Sequence, residues 1–260
     1  ASGRRWADNL IKPDLVAPGN AMVSAGATST LGQWNRLASQ NPGLLTGLTG
    51  QVFGQTLMML SGTSVSAPVV SGAVALMLQA NPGLTPPLVK AILQYTAQPL
   101  AGASLVEQGA GMLNIDGAVR LARALRADIA SRVAAGTLQP GQAINATALP
   151  TPSSTINGQT FNWSRTVFVG GRHIATGDAL FTQYQPIYNP RINWVGNQAR
   201  QIGIYWRPAS PTAPANSVPQ WFSEAPAPAG ALIGPGVRLG THLVGASSLI
   251  GKTGVFTPTS

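Results

Sequence analysis

Ser61-Gly62-Thr63-Ser64 is where this sequence places a hydroxyl beside a backbone able to assist it. A short apolar run, Leu57-Met58-Met59-Leu60, leads in, and a run of Ala, Val, Leu and Met follows with no charge until Lys90. The pattern predicts a strand, a tight turn and a helix apolar on nearly every face, which is a helix for the middle of a domain. Gly62 permits a torsion or a close approach that a Cβ blocks. Ser64 falls at the helix start, where backbone N–H groups have no carbonyl partner. Pro68 sits about one turn in, where few N–H bonds are lost. A serine there lies beside backbone donors and the positive end of the helix dipole, which stabilise an oxyanion formed on an attacked carbonyl. It still needs a base to take its proton. Taken alone, the same residues also describe an ordinary serine N-cap.

The wider pattern is more specific. Gly62-Thr63-Ser64-x-x-x-Pro68-x-Val70-x-Gly72 resembles the nucleophile motif of the subtilases, the subtilisin-like serine proteases. Lys12-Pro13-Asp14-Leu15-Val16-Ala17-Pro18-Gly19 is similar to the segment that precedes the serine in that family. Asn81-Pro82-x-Leu84-Thr85 with Val89-x-Ala91-x-Leu93-x-x-Thr96-Ala97 resembles the next helix pair. Gly109-x-Gly111-x-Leu113-Asn114-x-x-x-Ala118-Val119 resembles the closing strand and helix. The four motifs stand in family order over residues 1–125.

The resemblance implies an α/β fold: the C-terminal part of a subtilisin-like parallel-sheet domain. It implies Ser64 as nucleophile and the Ser64 N–H as one oxyanion donor, supported by Gly62, Thr63 and Pro68. In subtilases the triad runs Asp, His, Ser along the chain, with an oxyanion Asn between His and Ser. Those three residues would then come from an N-terminal part of the same catalytic domain. The implied substrate is a polypeptide, and the implied location is secreted or at the cell surface. No cofactor is expected. A structural calcium ion is possible in the family, but nothing in this chain supports one.

Composition sets bounds on this reading. At 260 residues with 44% hydrophobic content, the chain can bury a sizeable core, but only 9% of it is charged against about 25% on average. The absence of cysteine excludes disulfides and thiolate metal sites. No uninterrupted apolar run reaches about 18 residues, so the sequence offers no convincing membrane span. The net charge of +9 comes from scattered arginines, not from a cluster or a helical stripe, which argues against nucleic acid. An anionic cell envelope is a partner such a charge would suit.

Along the chain, Leu15-Val16 reads as a short strand. Asp14 either helps hold a cation or bonds to turn amides, and a lone carboxylate favours the amides. Residues 20–56 read as surface loops with short strand pieces, in which Trp34 either lines a subsite or plugs a loop onto the core, the plug being favoured. Asn81-Pro82-Gly83 is a turn. Thr85 caps a second helix with Pro86 and Pro87 in its first turn and Leu88, Ala91, Ile92 and Tyr95 as its inward stripe. Gln108 to Asn114 reads as a strand. Asn114 caps a third helix that carries Arg120, Arg123 and Arg126 outward.

The expected division is 1–130 as the catalytic part, 131–158 as linker, and 159–260 as a small, mostly β accessory region with a Pro-rich segment. Phe161, Trp163, Val167 and Val169 alternate, Gly170-Gly171 turns, and His173-Ile174-Ala175 returns as a hairpin. Ala179 to Tyr188, Ile192 to Val195 and Gln201 to Trp206 are further strand candidates. The tail holds His173 and His242, with Asp178 near the first. Their order after the serine is not the subtilase order, so neither is expected to serve as base. Two other functions remain open on sequence: a non-catalytic subtilase-like scaffold, and a cell-envelope-binding module in the tail.

Overall fold

In the computed structural model the described residues are 11–26, 36–46, 57–170, 173–195, 198–205, 220–227 and 233–239. Trp34, His242 and most of the Pro-rich and C-terminal stretches lie outside them. The chain divides into two compact units: Val16–Ala75, and Ala1–Leu15 together with Leu76–Ser260.

The Val16–Ala75 unit holds β1 (Met22–Ala25), α1 (Arg36–Gln40), a 3-10 turn at Pro42–Leu44, β2 (Leu57–Leu60) and the start of α2 (Thr63–Ala80). The two strands pair antiparallel, with Met22 opposite Leu60 and Ala25 opposite Leu57. They make a two-stranded ribbon, not part of a parallel sheet. Every pairing between named strands in the structure is antiparallel. The parallel sheet expected from sequence is therefore not formed among the described residues. Parallel pairing needs further strands joined by crossovers, and among the described residues none pairs with this ribbon.

A correction concerns α2. It forms where expected, but Ala73 and Met77 are its buried residues, while Leu76 and Leu78 are 45% and 40% exposed. Composition makes a helix apolar; only a neighbouring layer makes it buried. By length and composition α2 also suffices to cross a membrane. A core helix passes the same test, so this feature does not discriminate.

The other unit continues with α3 (Pro86–Thr96), α4 (Leu105–Gln108), α5 (Ile115–Ala124) and α6 (Ile129–Ala134). Then come β3 (Ser153–Ile156), β4 (Gln159–Asn162), β5 (Thr166–Val169), β6 (His173–Thr176), α7 (Ala179–Thr182), a 3-10 turn at Pro186–Tyr188, β7 (Ile192–Val195), β8 (Gln198–Tyr205), β9 (Gln220–Ala227) and β10 (Arg238–Leu239). The inward stripe of α3 is as predicted: Leu88, Ala91, Ile92 and Tyr95 are all buried. Thr85 stands at its N-cap, yet its hydroxyl donates to the Tyr188 carbonyl at 2.7 Å instead of capping the helix. Asn114 does cap α5, accepting from Gly117 N–H at 3.1 Å.

Three sheets follow. β3 and β4 form one hairpin, β5 and β6 a second that β10 extends, and β7, β8 and β9 a third. The predicted alternation from Phe161 to Val169 thus divides between two hairpins. Gln108 to Asn114 makes only a single bridge, Gln98 to Met112. Ala179 to Tyr188 is not a strand: it holds α7 and the 3-10 turn at Pro186–Tyr188, with a single bridge from Gln183 to Ala143 between them. Leu180, Phe181, Tyr184 and Tyr188 are buried along it.

This tail packs on the preceding helices. Ile11, Ala97, Ala110 and Phe168 share one apolar cluster. Ser164 N–H donates to Ala97 O and Arg165 N–H to Tyr95 O. Gln94, fully buried, donates to Asp14 Oδ1 at 3.0 Å and accepts from Phe168 N–H at 2.9 Å. Between α6 and β3, Leu138 and Ile144 are buried although the backbone is irregular.

Candidate active site

The turn before α2 is built by backbone geometry. Gly62 has φ +146°, which favours glycine. Its N–H donates to Gly19 O at 2.7 Å, and its carbonyl accepts from Val65 N–H at 3.0 Å and Ser66 N–H at 3.2 Å. The first helical amides to find a carbonyl are therefore those of Val65 and Ser66. The amides of Thr63 and Ser64 precede them at the positive end of the helix. Gly19 must be a glycine, since a Cβ there would stand 2.0 Å from Ser66 Oγ and 2.8 Å from Gly62 O.

The serines of the motif are separated by their surroundings. Ser61 Oγ accepts from Ala21 N–H at 2.8 Å and donates to Asn20 Oδ1 at 3.0 Å. Ser66 is half-buried against Gly19. Ser71 Oγ donates to Ala67 O at 3.1 Å. Ser64 is exposed, has no hydrogen-bond partner among the described residues, and lines a cavity of about 520 Å³. That cavity lies between the β1–β2 ribbon and the first turns of α2, with Met22, Met58, Leu60, Val65 and Val69 on its walls. The roles of Asn20 and Ala21 in holding the turn escaped sequence reasoning; the Pro18-Gly19-Asn20 turn signal was the one available clue.

Arg36 is the one ionisable side chain among the described residues of this unit. The serine therefore has a helix end and a groove beside it, but no base among those residues. Of the tail residues named from the sequence, Asp178 and His173 are described. Asp178 Oδ1 accepts from Tyr95 OH and from Arg165, both at 3.2 Å, and His173 sits half-buried in β6.

Asp14 bonds to side chains and not to the turn amides weighed for it. Its carboxylate meets Lys12 at 2.7 Å, Lys90 at 2.9 Å and the Gln94 amide at 3.0 Å. Burial pushes its carboxyl up, but the two ammonium groups outweigh this and hold it below its usual value. A carboxylate already paired with the chain's own cations is a poor place for a metal ion. Among the described residues no group of three or more acidic or histidine side chains comes together.

Comparison with known proteins adds a family to this geometry. Residues 1–117 match the Subtilase family. Subtilisin-like protease SBT2.3 of Arabidopsis thaliana is 36% identical over 89 residues, covering 34% of this chain and 9% of that protein. Serine protease AprX of Bacillus subtilis (strain 168) is 32% identical over 112 residues, covering 42% of this chain and 22% of that protein. Subtilisin-like protease SBT1.6 of Arabidopsis thaliana is 31% identical over 104 residues, 39% of this chain and 12% of that protein. The matched segment thus spans less than a quarter of each of these relatives.

Proposed function

Residues 1–117 belong to the subtilase family, and from that premise we propose that the protein is part of a serine endopeptidase whose nucleophile is Ser64. The observation that carries this is the separation of the four serines: Ser64 alone combines exposure, no hydrogen bond among the described residues, and a place beside helix amides that have no carbonyl partner.

A histidine base removes the Ser64 Oγ proton as the oxygen attacks the scissile carbonyl carbon. The resulting oxyanion is held by the Ser64 N–H and the helix dipole. Collapse expels the amine, which takes the proton from histidine, and water then attacks the acyl-enzyme to release acid and restore the serine. Asp, His and the oxyanion Asn are assigned to an N-terminal part of the same domain. That part is also the partner assigned to the uncovered face of α2. The substrate is a polypeptide, no metal or cofactor takes part, and the enzyme works outside the cell or at its surface.

The test is labelling of the intact protein by a serine-directed phosphonate, followed by peptide mapping. Label on Ser64 alone is expected. Label on Ser61, Ser66 or Ser71, or none in a protein that cleaves peptides, would overturn the assignment. The second reading, a non-catalytic scaffold, draws on one observation: the lack of a base among the described residues around Ser64. An upstream sequence without Asp and His motifs would favour it.

A further inference from the structure

We propose that Asn157 is a self-modifying site: its side chain closes on the Gly158 nitrogen, loses ammonia and opens to isoaspartate, which releases the β3–β4 hairpin from α5. Asn157-Gly158 is the one Asn-Gly pair in the sequence. It forms the two-residue turn between β3 and β4, flanked by the Ile156–Gln159 pair, with φ +49° and +75°. Both central residues at positive φ define a type I′ turn. Thr155 to Thr160 are exposed, and a Cβ at Gly158 would meet nothing within 4 Å.

Seven of the other asparagines are protected, each in its own way. Asn81, Asn41 and Asn189 precede prolines, which offer no backbone N–H. Asn114 is buried and Asn20 is held by Ser61. Asn145 donates to Thr147 O. Asn162 lies within β4, before the buried Trp163. Of these eight, Asn157 alone combines an open approach, a following nitrogen with no side chain beside it, and no partner for its amide among the described residues.

The step balances without any oxidant. Water or hydroxide takes the Gly158 N–H proton, a bond forms from that nitrogen to Asn157 Cγ, and the Cγ–NH₂ bond breaks to release ammonia. Water then opens the five-membered imide at either carbonyl, giving aspartate or isoaspartate. Isoaspartate adds a methylene to the main chain. A two-residue turn fixes hairpin register, so the lengthened backbone cannot hold Ile156 opposite Gln159.

That register positions Ser154, which is 2% exposed. Ser154 Oγ accepts from Asn114 Nδ2 and Trp163 Nε1, both at 3.0 Å, and donates to Asp116 Oδ2 at 2.8 Å. Loss of the turn therefore strips α5 of its contacts with β3 and leaves buried polar groups unpaired.

The experiment ages the full 260-residue chain in mildly alkaline heavy-oxygen water, maps peptides by mass, and melts the separated deamidated fraction. Label at Asn157 should accumulate several-fold faster than at Asn20 or Asn162, and the isoaspartyl fraction should melt lower than fresh protein. Asn157→Asp, which adds the charge but keeps the backbone and suits the same turn, should melt like wild type. Equal rates at the three asparagines, an isoaspartyl fraction that melts normally, or an Asn157→Asp variant that melts as low as the isoaspartyl form would each overturn the proposal.

Discussion

Ser61, Ser64, Ser66 and Ser71 carry the same hydroxyl, and their environments give them different work. Ser64→Ala in the intact protein should lower kcat by roughly 10⁶ with substrate binding nearly unchanged, the scale known for the nucleophile of subtilisin itself. Ser66→Ala should change little. Gly19→Ala should act at a distance from the chemistry: the new Cβ collides with Ser66 Oγ and Gly62 O, so the turn must shift. Phosphonate labelling at Ser64 should slow, and adding Ser66→Ala should restore part of the rate by removing one of the two collisions. Asp14 gives a pH test. Lys12 and Lys90 hold its carboxyl below its usual value, so the ionised form is favoured in the folded state. Its contribution is present above the usual carboxylate range and is lost as pH falls through the folded value. Melting temperature should drop more steeply with acid in wild type than in Asp14→Asn. Asp14→Ala also leaves the fully buried Gln94 amide without its acceptor, which costs about 1–3 kcal/mol.

Among the helices, α5 depends on a residue that does two things. Asn114 Oδ1 caps the helix, and its Nδ2 donates to Thr96 O at 2.9 Å and to Ser154 Oγ at 3.0 Å. Asn114→Ala should cost about 1–3 kcal/mol by urea denaturation, and Asn114→Asp should recover only the capping share, since a carboxylate accepts but cannot donate. A cost equal in both variants would mean that the cap contributes nothing. The cap was legible in the sequence because capping is local, as was the α3 stripe, whose apolar period repeats within one helix. The second role of Asn114 was not legible, because Ser154 lies 40 residues away in a hairpin. That hairpin had a strong local signal, Asn157-Gly158, and was absorbed into an expected linker because its strands are mostly polar. Thr85 shows the converse. Its type and position fit a cap, but the Tyr188 carbonyl, buried and in need of a donor, takes the hydroxyl instead. At the site, Gly62-Thr63-Ser64 was readable as a turn into a helix, whereas the pinning of that turn by Gly19, Asn20 and Ala21 depends on contacts across some 40 residues.

At the scale of the molecule, several large apolar side chains among the described residues face water. Leu76 and Leu78 on α2 are exposed, as are Val23, Met59 and Leu60 on the ribbon. Surfaces of this kind mark a site that another layer covers. If the covering layer is the N-terminal part of the same domain, one pair of substitutions should act with opposite effect in two settings. In the 260-residue chain, Leu76→Gln with Leu78→Gln should reduce binding of a hydrophobic dye and reduce self-association, with little loss in melting temperature, because these side chains already face water. In the intact protein the same pair should destabilise by about 2–5 kcal/mol, because two leucines would then be buried and their replacements left without hydrogen-bond partners. The 260-residue chain should also show no turnover of casein, because a hydroxyl without a base is a weak nucleophile. Activity in this chain that disappears on Ser64→Ala would place the base within it. A destabilisation of equal size in both settings would mean that α2 is already covered without an N-terminal partner.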